Sequence, residues 1–169
     1  SAHAGTTPMR LRHDPAYCAG AIATFVRDLT RRLGADQVGT VGRIDVYPNL
    51  VNVVPSRVVT TVDLRNTDER VLQEAERLLA AFLDELAASE GVEITTRSLA
   101  RFEPVSFDPA MVGRIESTAR RLGYSTRRMA SGAGHDAQML ARVCPTAMVF
   151  TPSVNGLSHN IAEFTHAAD

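Results

Sequence analysis

The sequence predicts an α/β protein in two parts, a ferredoxin-like sandwich that lacks its first strand and a second unit that alternates short helices and strands. Three observations support this prediction. Asp-Pro steps mark two helix starts, because the aspartate can cap unpaired amides and the proline needs no donor there. Apolar residues recur at helical spacing in two long stretches. Between them, apolar and polar residues alternate as in a half-buried strand.

The first predicted helix covers residues 14–33. Asp14 begins it and Gly34 ends it, which are common start and stop signals. The apolar residues of this stretch recur at the spacing of one helix face: Cys18, Ile22, Phe25, Val26, Leu29 and Leu33. The pattern therefore indicates an amphipathic helix with one buried side.

Two strands are predicted next, at residues 39–46 and 57–65. In the second of these, alternate residues divide between an apolar and a polar face, and the polar face carries Thr61, Asp63 and Arg65. This alternation is typical of a strand with one side packed on a core.

A second long helix is predicted at residues 68–90, closed by Gly91, and a strand at residues 92–100. The order helix, strand, strand, helix, strand is that of a ferredoxin-like sandwich. Its missing strand would lie just before Ser1. We therefore expect the chain to be a piece of a larger protein.

The second unit follows a connector at residues 101–107. Its predicted elements are a helix at 109–122, a strand at 126–129, a glycine loop at 131–135, a helix at 136–143, a strand at 146–150 and a polar loop at 151–163. About 60 residues are too few for the sheet of a complete enzyme. We expect this unit to be part of a larger α/β domain.

The composition limits the classes of protein to consider. The chain has 169 residues, of which 44% are hydrophobic, and a net charge of -1, which is typical of a soluble globular domain. No apolar stretch approaches the roughly 20 residues that span a bilayer, and the first residues given do not have the charged-then-apolar layout of a secretory signal. The interspersed charges give no basic stripe for nucleic acid. These observations predict a cytoplasmic protein that binds neither nucleic acid nor membrane.

The first candidate site is His3 with Thr6 and Thr7, in a loop of small residues. A neutral imidazole can donate a hydrogen bond to a substrate carbonyl, or to the oxyanion that forms when water attacks it. The alternative is a surface histidine next to a helix start that is capped by a threonine.

The second candidate site is Asn52 with Arg65. A guanidinium at the end of a strand can hold a carboxylate through two hydrogen bonds, and an asparagine can orient a neighbouring amide or ureido group. The alternative is an ion pair between Asp63 and Arg65 on a solvated face.

Two further motifs lie in the second unit. The loop of residues 131–136 has two glycines before a helix start, which lets backbone amides approach an anion, but it lacks the lysine and the glycine spacing of nucleotide-binding loops. His159 follows a predicted strand and is a candidate metal ligand. A single histidine does not hold zinc by itself.

Five ordered motifs resemble one family, the N-carbamoyl-L-amino-acid hydrolases, also described as hydantoinase/carbamoylase-type amidases, with β-ureidopropionase and allantoate amidohydrolase among them. The motifs begin with His-Ala-Gly-Thr-Thr-Pro-Met and end with Gly-x-Ser-His-Asn-x-x-Glu, and they occupy residues 3–9, 40–55, 62–65, 131–137 and 156–163. The resemblance covers essentially the whole chain.

The resemblance implies a two-domain metallohydrolase. Residues 1–102 would be most of a lid domain that mediates homodimerisation, and residues 103–169 the C-terminal part of a catalytic domain like that of zinc aminopeptidases. The intact enzyme would hold two divalent metal ions, with zinc expected and manganese, cobalt or nickel as alternatives. Its substrate would be an N-carbamoyl-L-amino acid, with allantoate or β-ureidopropionate as alternatives.

The resemblance also assigns roles to residues. His3 would contact the substrate carbonyl or oxyanion, Asn52 and Arg65 would bind substrate, and Gly134 would contribute a backbone contact to the substrate carboxylate. His159 would be one metal ligand. The family's other ligands and its general base would lie upstream of His3, so we expect the isolated chain to be inactive. The alternative from another class is a non-catalytic dimerisation module.

Overall fold

The computed structural model describes residues 2–34 and 36–167. The chain forms two compact units, which meet in sequence between Pro104 and Val105. Within the described ranges, no helix is both long enough and apolar enough to cross a membrane. The mixed helix and strand content predicted from the sequence is confirmed, whereas the lid and catalytic-domain assignments stay predictions.

The first unit combines two long helices with two small antiparallel strand pairs. In chain order its elements are β1 (Ala2–His3), α1 (Pro15–Leu33), β2 (Val38–Tyr47), β3 (Val53–Val54), β4 (Arg57–Arg65) and α2 (Glu69–Glu90). Strand β2 pairs with β4, and β1 pairs with β3. Both helices and the two strands at 39–46 and 57–65 are therefore confirmed, and none of their ends differs from the prediction by more than one residue.

Side-chain caps explain where the helices start. Asp14 accepts hydrogen bonds from the backbone amides of Ala16 and Tyr17, at 2.9 and 3.2 Å. Asp68 accepts one from the amide of Arg70 at 2.8 Å. Because each aspartate uses its side chain as a cap, it stands just outside the helix. The predicted helices accordingly begin one residue later in the structure.

The core of this unit lies between the helices and the β2–β4 pair. Its buried centre, formed by Cys18, Ile22, Val26 and Leu86, packs against Val62 and Leu64 of β4 among others. Phe25 and Phe82 stack across the two helices with their ring centroids 4.1 Å apart. The apolar face predicted for residues 57–65 is thus the face that contacts the core.

The strand predicted at residues 92–100 is wrong. Val92 and Ile94 do contact the core, so the alternating pattern has its expected effect on burial. However, no strand pairs with this segment in the part of the chain that the structure describes, and a strand needs a paired neighbour to complete its hydrogen bonds. Arg101 instead holds the segment to α2 through Glu69 and Glu76, each at 2.6 Å.

The second unit contains α3 (Pro109–Arg121) and α4 (Asp136–Leu140) as its α-helices. The prediction of α3 is confirmed, and Asp108 caps it through the amide of Met111 at 2.7 Å. The helix predicted at 136–143 is too long, because turns replace it after Leu140.

The strands predicted at 126–129 and 146–150 are also wrong. Both segments run without a paired strand among the residues described for this unit. Only Ala137 and Thr146 are buried in the described part of the unit. Apolar strand patterns need a sheet to join, and no sheet forms from these residues alone.

Candidate functional site

Strands β1 and β3 bring together two residues that the sequence singled out separately. The strands pair antiparallel, with His3 opposite Val53. The amide of Ala4 continues the ladder by donating to the carbonyl oxygen of Asn52 at 2.9 Å. His3 and Asn52 are far apart in sequence, yet the strand that contains His3 runs beside the end of the turn from which Asn52 leads into β3.

The ring of His3 is oriented by its own loop. Its Nδ1 accepts hydrogen bonds from the backbone amides of Gly5 and Thr6, at 3.0 and 3.2 Å. Since Nδ1 acts as an acceptor, a neutral ring carries its proton on Nε2. Among the described residues, nothing accepts a hydrogen bond from Nε2, and the side chain is exposed. The ring therefore offers an outward N–H donor.

The side chain of Arg12 forms hydrogen bonds with the backbone of the same loop. Its Nε donates to the carbonyl oxygen of Thr7 at 2.9 Å, and its Nη2 donates to the carbonyl oxygen of Ala4. Sequence reasoning missed this residue, because a single arginine beside a short turn forms no recognisable pattern. The carbonyl groups of Ala4 and Thr7 come within reach of the Arg12 guanidinium only when the loop is folded.

The threonine cap considered as an alternative for this loop is absent. The turn of Met9–Leu11 is a short 3₁₀ helix that follows Pro8, and no side chain caps it. The backbone amide of Thr7 instead donates to the carbonyl oxygen of His3 at 3.2 Å, which closes the loop as an α-turn.

Arg65 ends β4 and forms the ion pair with Asp63 that is the alternative to a substrate-binding role. Its Nε and Nη2 donate to the two carboxylate oxygens of Asp63, at 2.9 and 2.7 Å. The hydrogen bond from Arg65 is the main reason that the pKa of Asp63 is lowered, and the same bond raises the pKa of Arg65. The guanidinium thus already holds one carboxylate in the two-pronged geometry expected for a substrate acid.

A buried amide fixes the backbone from which Arg65 extends. Gln37 is only 4% exposed, and its Nε2 donates to the carbonyl oxygens of Val38 and Arg65, at 2.9 and 3.2 Å. Its Oε1 accepts from the side chain of Asn66 at 3.1 Å. Because both ends of the amide are paired, the group is stable in this buried position.

Gly134 lies in the second unit, just before α4. The next residue, His135, caps that helix by accepting from the amide of Ala137 at 3.0 Å, and its own amide donates to Gln138 at 3.3 Å. A Cβ at Gly134 would meet only Oε1 of Gln138, at 3.7 Å. Packing within the unit therefore does not require glycine here, and the assigned ligand contact stays a prediction.

His159 also lies in the second unit, in the loop after a 3₁₀ turn at Val154–Gly156. Its backbone is left-handed, with φ of 56°, and its amide donates to Glu163 at 2.8 Å. No group of three or more histidine, cysteine, aspartate or glutamate side chains that could hold a metal ion occurs in the described portion of the chain. These residues do not by themselves fit a complete metal centre.

Three polar residues of the first unit, His3, Asn52 and Arg65, are exposed. Imidazole, amide and guanidinium groups are of the kind that can orient a small polar ligand. The chain belongs to peptidase family M20/M25/M40, which matches residues 5–169. This family is generally metal-dependent.

Two curated amidohydrolases are similar in sequence to this chain. The chain is 38% identical over 162 residues to an N-carbamoyl-L-amino-acid amidohydrolase of Rhizobium meliloti, covering 96% of the chain and 39% of that protein. It is 39% identical over 173 residues to the allantoate amidohydrolase of Escherichia coli K12, covering 100% of the chain and 41% of that protein.

A crystal structure of a family member has the same fold as this chain. An amidase of the hydantoinase/carbamoylase family from Burkholderia vietnamiensis aligns with a TM-score of 0.94 at 40% identity, covering 99% of this chain and 40% of that one. The family resemblance read from the five motifs is confirmed. The chain spans between 39% and 41% of the length of these three proteins.

Proposed function

We propose that this chain forms the substrate-binding part of a metal-dependent amidohydrolase that cleaves linear amide or ureido C–N bonds, with N-carbamoyl-L-amino acids as substrates. One observation carries the proposal: the hydrogen bonds to Nδ1 place the proton of a neutral His3 ring on Nε2, in a loop whose Ala4 amide donates to the carbonyl oxygen of Asn52. The names of the similar amidohydrolases support the substrate class.

His3 would act on the carbonyl of the carbamoyl group. When a water oxygen adds to the carbonyl carbon, the carbonyl oxygen gains negative charge. An N–H donor that already points outward stabilises this charge without rearranging first. Asn52 would orient the adjacent ureido nitrogen and oxygen, because its amide offers both a donor and an acceptor.

Arg65 would bind the carboxylate of the substrate. Since Asp63 holds the guanidinium through two hydrogen bonds, a substrate carboxylate would have to displace Asp63 or share the guanidinium with it. This competition between two carboxylates would set part of the affinity for acidic substrates. Gly134 would add a backbone contact to the same substrate group, as the resemblance implies.

The metal would be bound by the longer protein. His159 is one nitrogen donor, and the described residues include no cluster that would complete a site around it. The chain also spans about 40% of its relatives. We therefore propose that two divalent ions, expected to be zinc, take their other ligands and the general base from residues outside these 169, and that the isolated chain is inactive.

Dimerisation through residues 1–102 belongs to the same proposal. The β2–β4 pair has only two strands in the described part of the unit, so each of its outer edges can accept another strand. This observation also supports the second candidate function, a dimerisation module without catalytic activity. An assay of the full-length protein distinguishes the two.

The test is a kinetic comparison in the full-length protein with N-carbamoyl-L-amino acids, allantoate and β-ureidopropionate. We expect His3→Ala chiefly to lower kcat, on the order of 100-fold, and Arg65→Ala chiefly to raise KM. Arg31→Ala removes a surface arginine that is 72% exposed and serves as the matched control. Unchanged kinetics in both site variants would refute these roles, and no hydrolysis of any of the substrates would favour the dimerisation module.

A further inference from the structure

We propose that Arg12 is a positioning residue that fixes the orientation and the tautomer of His3. The inference rests on the proposed function for its effect on catalysis. Its structural part stands on the hydrogen bonds of the loop that joins these two residues.

The guanidinium of Arg12 holds the His3 loop at two points. Nε donates to the carbonyl oxygen of Thr7 at 2.9 Å, and Nη2 donates to the carbonyl oxygen of Ala4. A planar fork that contacts two carbonyls restricts both their distance and their direction. A lysine in this position could donate to either oxygen, but its single nitrogen has no rigid fork to fix both.

The peptide bond between Ala4 and Gly5 transmits this restraint to the imidazole. Its carbonyl oxygen accepts from Arg12, and its N–H donates to Nδ1 of His3 at 3.0 Å. In a planar trans peptide, the oxygen and the hydrogen point in opposite directions. Holding the oxygen therefore aims the N–H at the ring.

The positive charge of Arg12 acts in the same direction. A charged donor on the carbonyl oxygen polarises the peptide, which strengthens its N–H as a donor. Two amide donors then meet Nδ1, from Gly5 and Thr6. This arrangement excludes a proton from Nδ1 of the neutral ring and leaves it on Nε2, the atom that the proposed function requires.

Arg12 is itself held in place by its neighbours. Its amide donates to the carbonyl oxygen of Met9 at 3.0 Å. The next residue, His13, contacts the carbonyl oxygen of Glu90 at 2.9 Å through Nδ1, and Asp14 caps α1. Arg12 thus stands at a junction of the Met9–Leu11 turn, the start of α1 and the end of α2. From this position Arg12 can hold the His3 loop, whose residues are exposed or only half-buried.

The experiment compares Arg12→Ala, Arg12→Lys and His3→Ala in the full-length protein. We expect Arg12→Ala to lower kcat on the order of 10- to 100-fold while KM changes less than about threefold, and Arg12→Lys to recover part of the loss. Arg10→Ala is the matched control, because Arg10 is exposed in the same turn and makes no side-chain hydrogen bond in the described structure. It should leave kcat unchanged.

A spectroscopic measurement separates positioning from a general loss of structure. Protein labelled with ¹⁵N-histidine reports the tautomer of each ring by NMR, and the His3→Ala spectrum identifies the His3 signals. We expect a single tautomer with the proton on Nε2 in the unsubstituted protein and in Arg10→Ala, and a mixture of tautomers in Arg12→Ala. If Arg12→Ala does not fold, the tautomer of His3 is measured in Arg12→Lys instead.

The two proposals fail in different ways. If His3→Ala lowers kcat while the Arg12 variants keep both kcat and the Nε2 tautomer, the positioning role of Arg12 is refuted and the role of His3 stands. If His3→Ala leaves kcat unchanged, the catalytic role of His3 is refuted. In that case a lost tautomer preference in the Arg12 variants still supports the structural link, and a retained preference overturns it.

Discussion

Gly39 of β2 lies directly against Val26 of α1. A Cβ added at Gly39 would be 2.9 Å from Cγ1 of Val26, and also 2.9 Å from Cγ2 of Thr30. Both distances are shorter than carbon atoms tolerate without movement. The absence of a side chain at Gly39 is therefore what lets the helix approach the strand so closely.

We predict that Gly39→Ala destabilises the first unit. An added methyl group would push α1 away from β2 or force its side chains out of their preferred rotamers, at a cost of about 1 to 3 kcal/mol in the free energy of unfolding. Urea unfolding followed by circular dichroism measures this change. Gly42→Ala on the same strand is the control, because its Cβ would meet nothing closer than Oγ1 of Thr61 at 3.7 Å. Equal effects at both glycines would contradict the prediction.

Gly91, at the end of α2, supports a second prediction. Both its backbone conformation and its closeness to His13 disfavour a side chain there. Its φ is 61°, in the left-handed region, and a Cβ there would be 2.7 Å from Nδ1 of His13. Gly91→Ala should lose about 1 to 2 kcal/mol from the backbone alone, and more from displacing His13.

A double-mutant cycle with His13→Ala separates the two costs at Gly91. Removing the imidazole relieves the steric part of the Gly91→Ala loss but not the backbone part. Thermal unfolding of the four proteins gives the coupling between the two sites. Additive effects would show that His13 does not restrict this position.

The ion pair of Asp63 and Arg65 predicts a pH dependence of stability. The hydrogen bond from Arg65 lowers the pKa of Asp63 below its ordinary value of 3.8. A lowered pKa in the folded protein means that the pair contributes stability above about pH 3.8, and that this contribution is lost as the pH falls through the lowered value. Both side chains are 48% exposed, so the contribution should remain under about 1 kcal/mol.

Comparing the unsubstituted protein with Asp63→Asn between pH 7 and pH 2 measures this contribution. The stability difference should be constant at neutral pH and should shrink on acidification. A difference that grows towards low pH would have the wrong sign for this ion pair.

Metal binding gives the fourth prediction. One histidine without companions does not hold zinc tightly, so calorimetric titration of the isolated 169-residue chain should show no tight stoichiometric binding. In the full-length protein, His159→Ala should reduce the bound metal, and a chelator should abolish activity. His166→Ala is the control, because His166 packs edge-on against Phe164 and has no assigned role. Tight binding of zinc by the isolated chain would overturn the assignment of the other ligands to residues outside it.

The sequence predicted those elements whose signals are local. Asp14, Asp68 and Asp108 each sit next to the helix that they cap, so a few neighbouring residues determine where that helix begins. The strands predicted around residues 92–100 and 146–150 failed for the opposite reason. The pattern of Val92 and Ile94 does indicate the side that contacts the core, but a strand also depends on a partner segment that its own residues cannot specify.

Some residues of the candidate site could likewise be predicted from the sequence, and others could not. His3, Asn52 and Arg65 were found through the motifs of a family, whereas their local patterns favoured ordinary surface roles. The pairing of β1 with β3 could not be read from one sequence, because nothing in residues 2–3 identifies residues 53–54 as their partner. Arg12 and Gln37 were missed because their side chains donate to backbone carbonyls, which every residue possesses.

The buried amide of Gln37 has a consequence for how Arg65 would meet a ligand. Gln37 ties together the start of β2, the end of β4 and, through Asn66, the amide of Asp68 at the start of α2. The main chain beneath the guanidinium is thus immobilised during folding, before any ligand arrives. If Arg65 binds an acid as proposed, binding would restrict the rotation of one side chain and would not need to order the backbone.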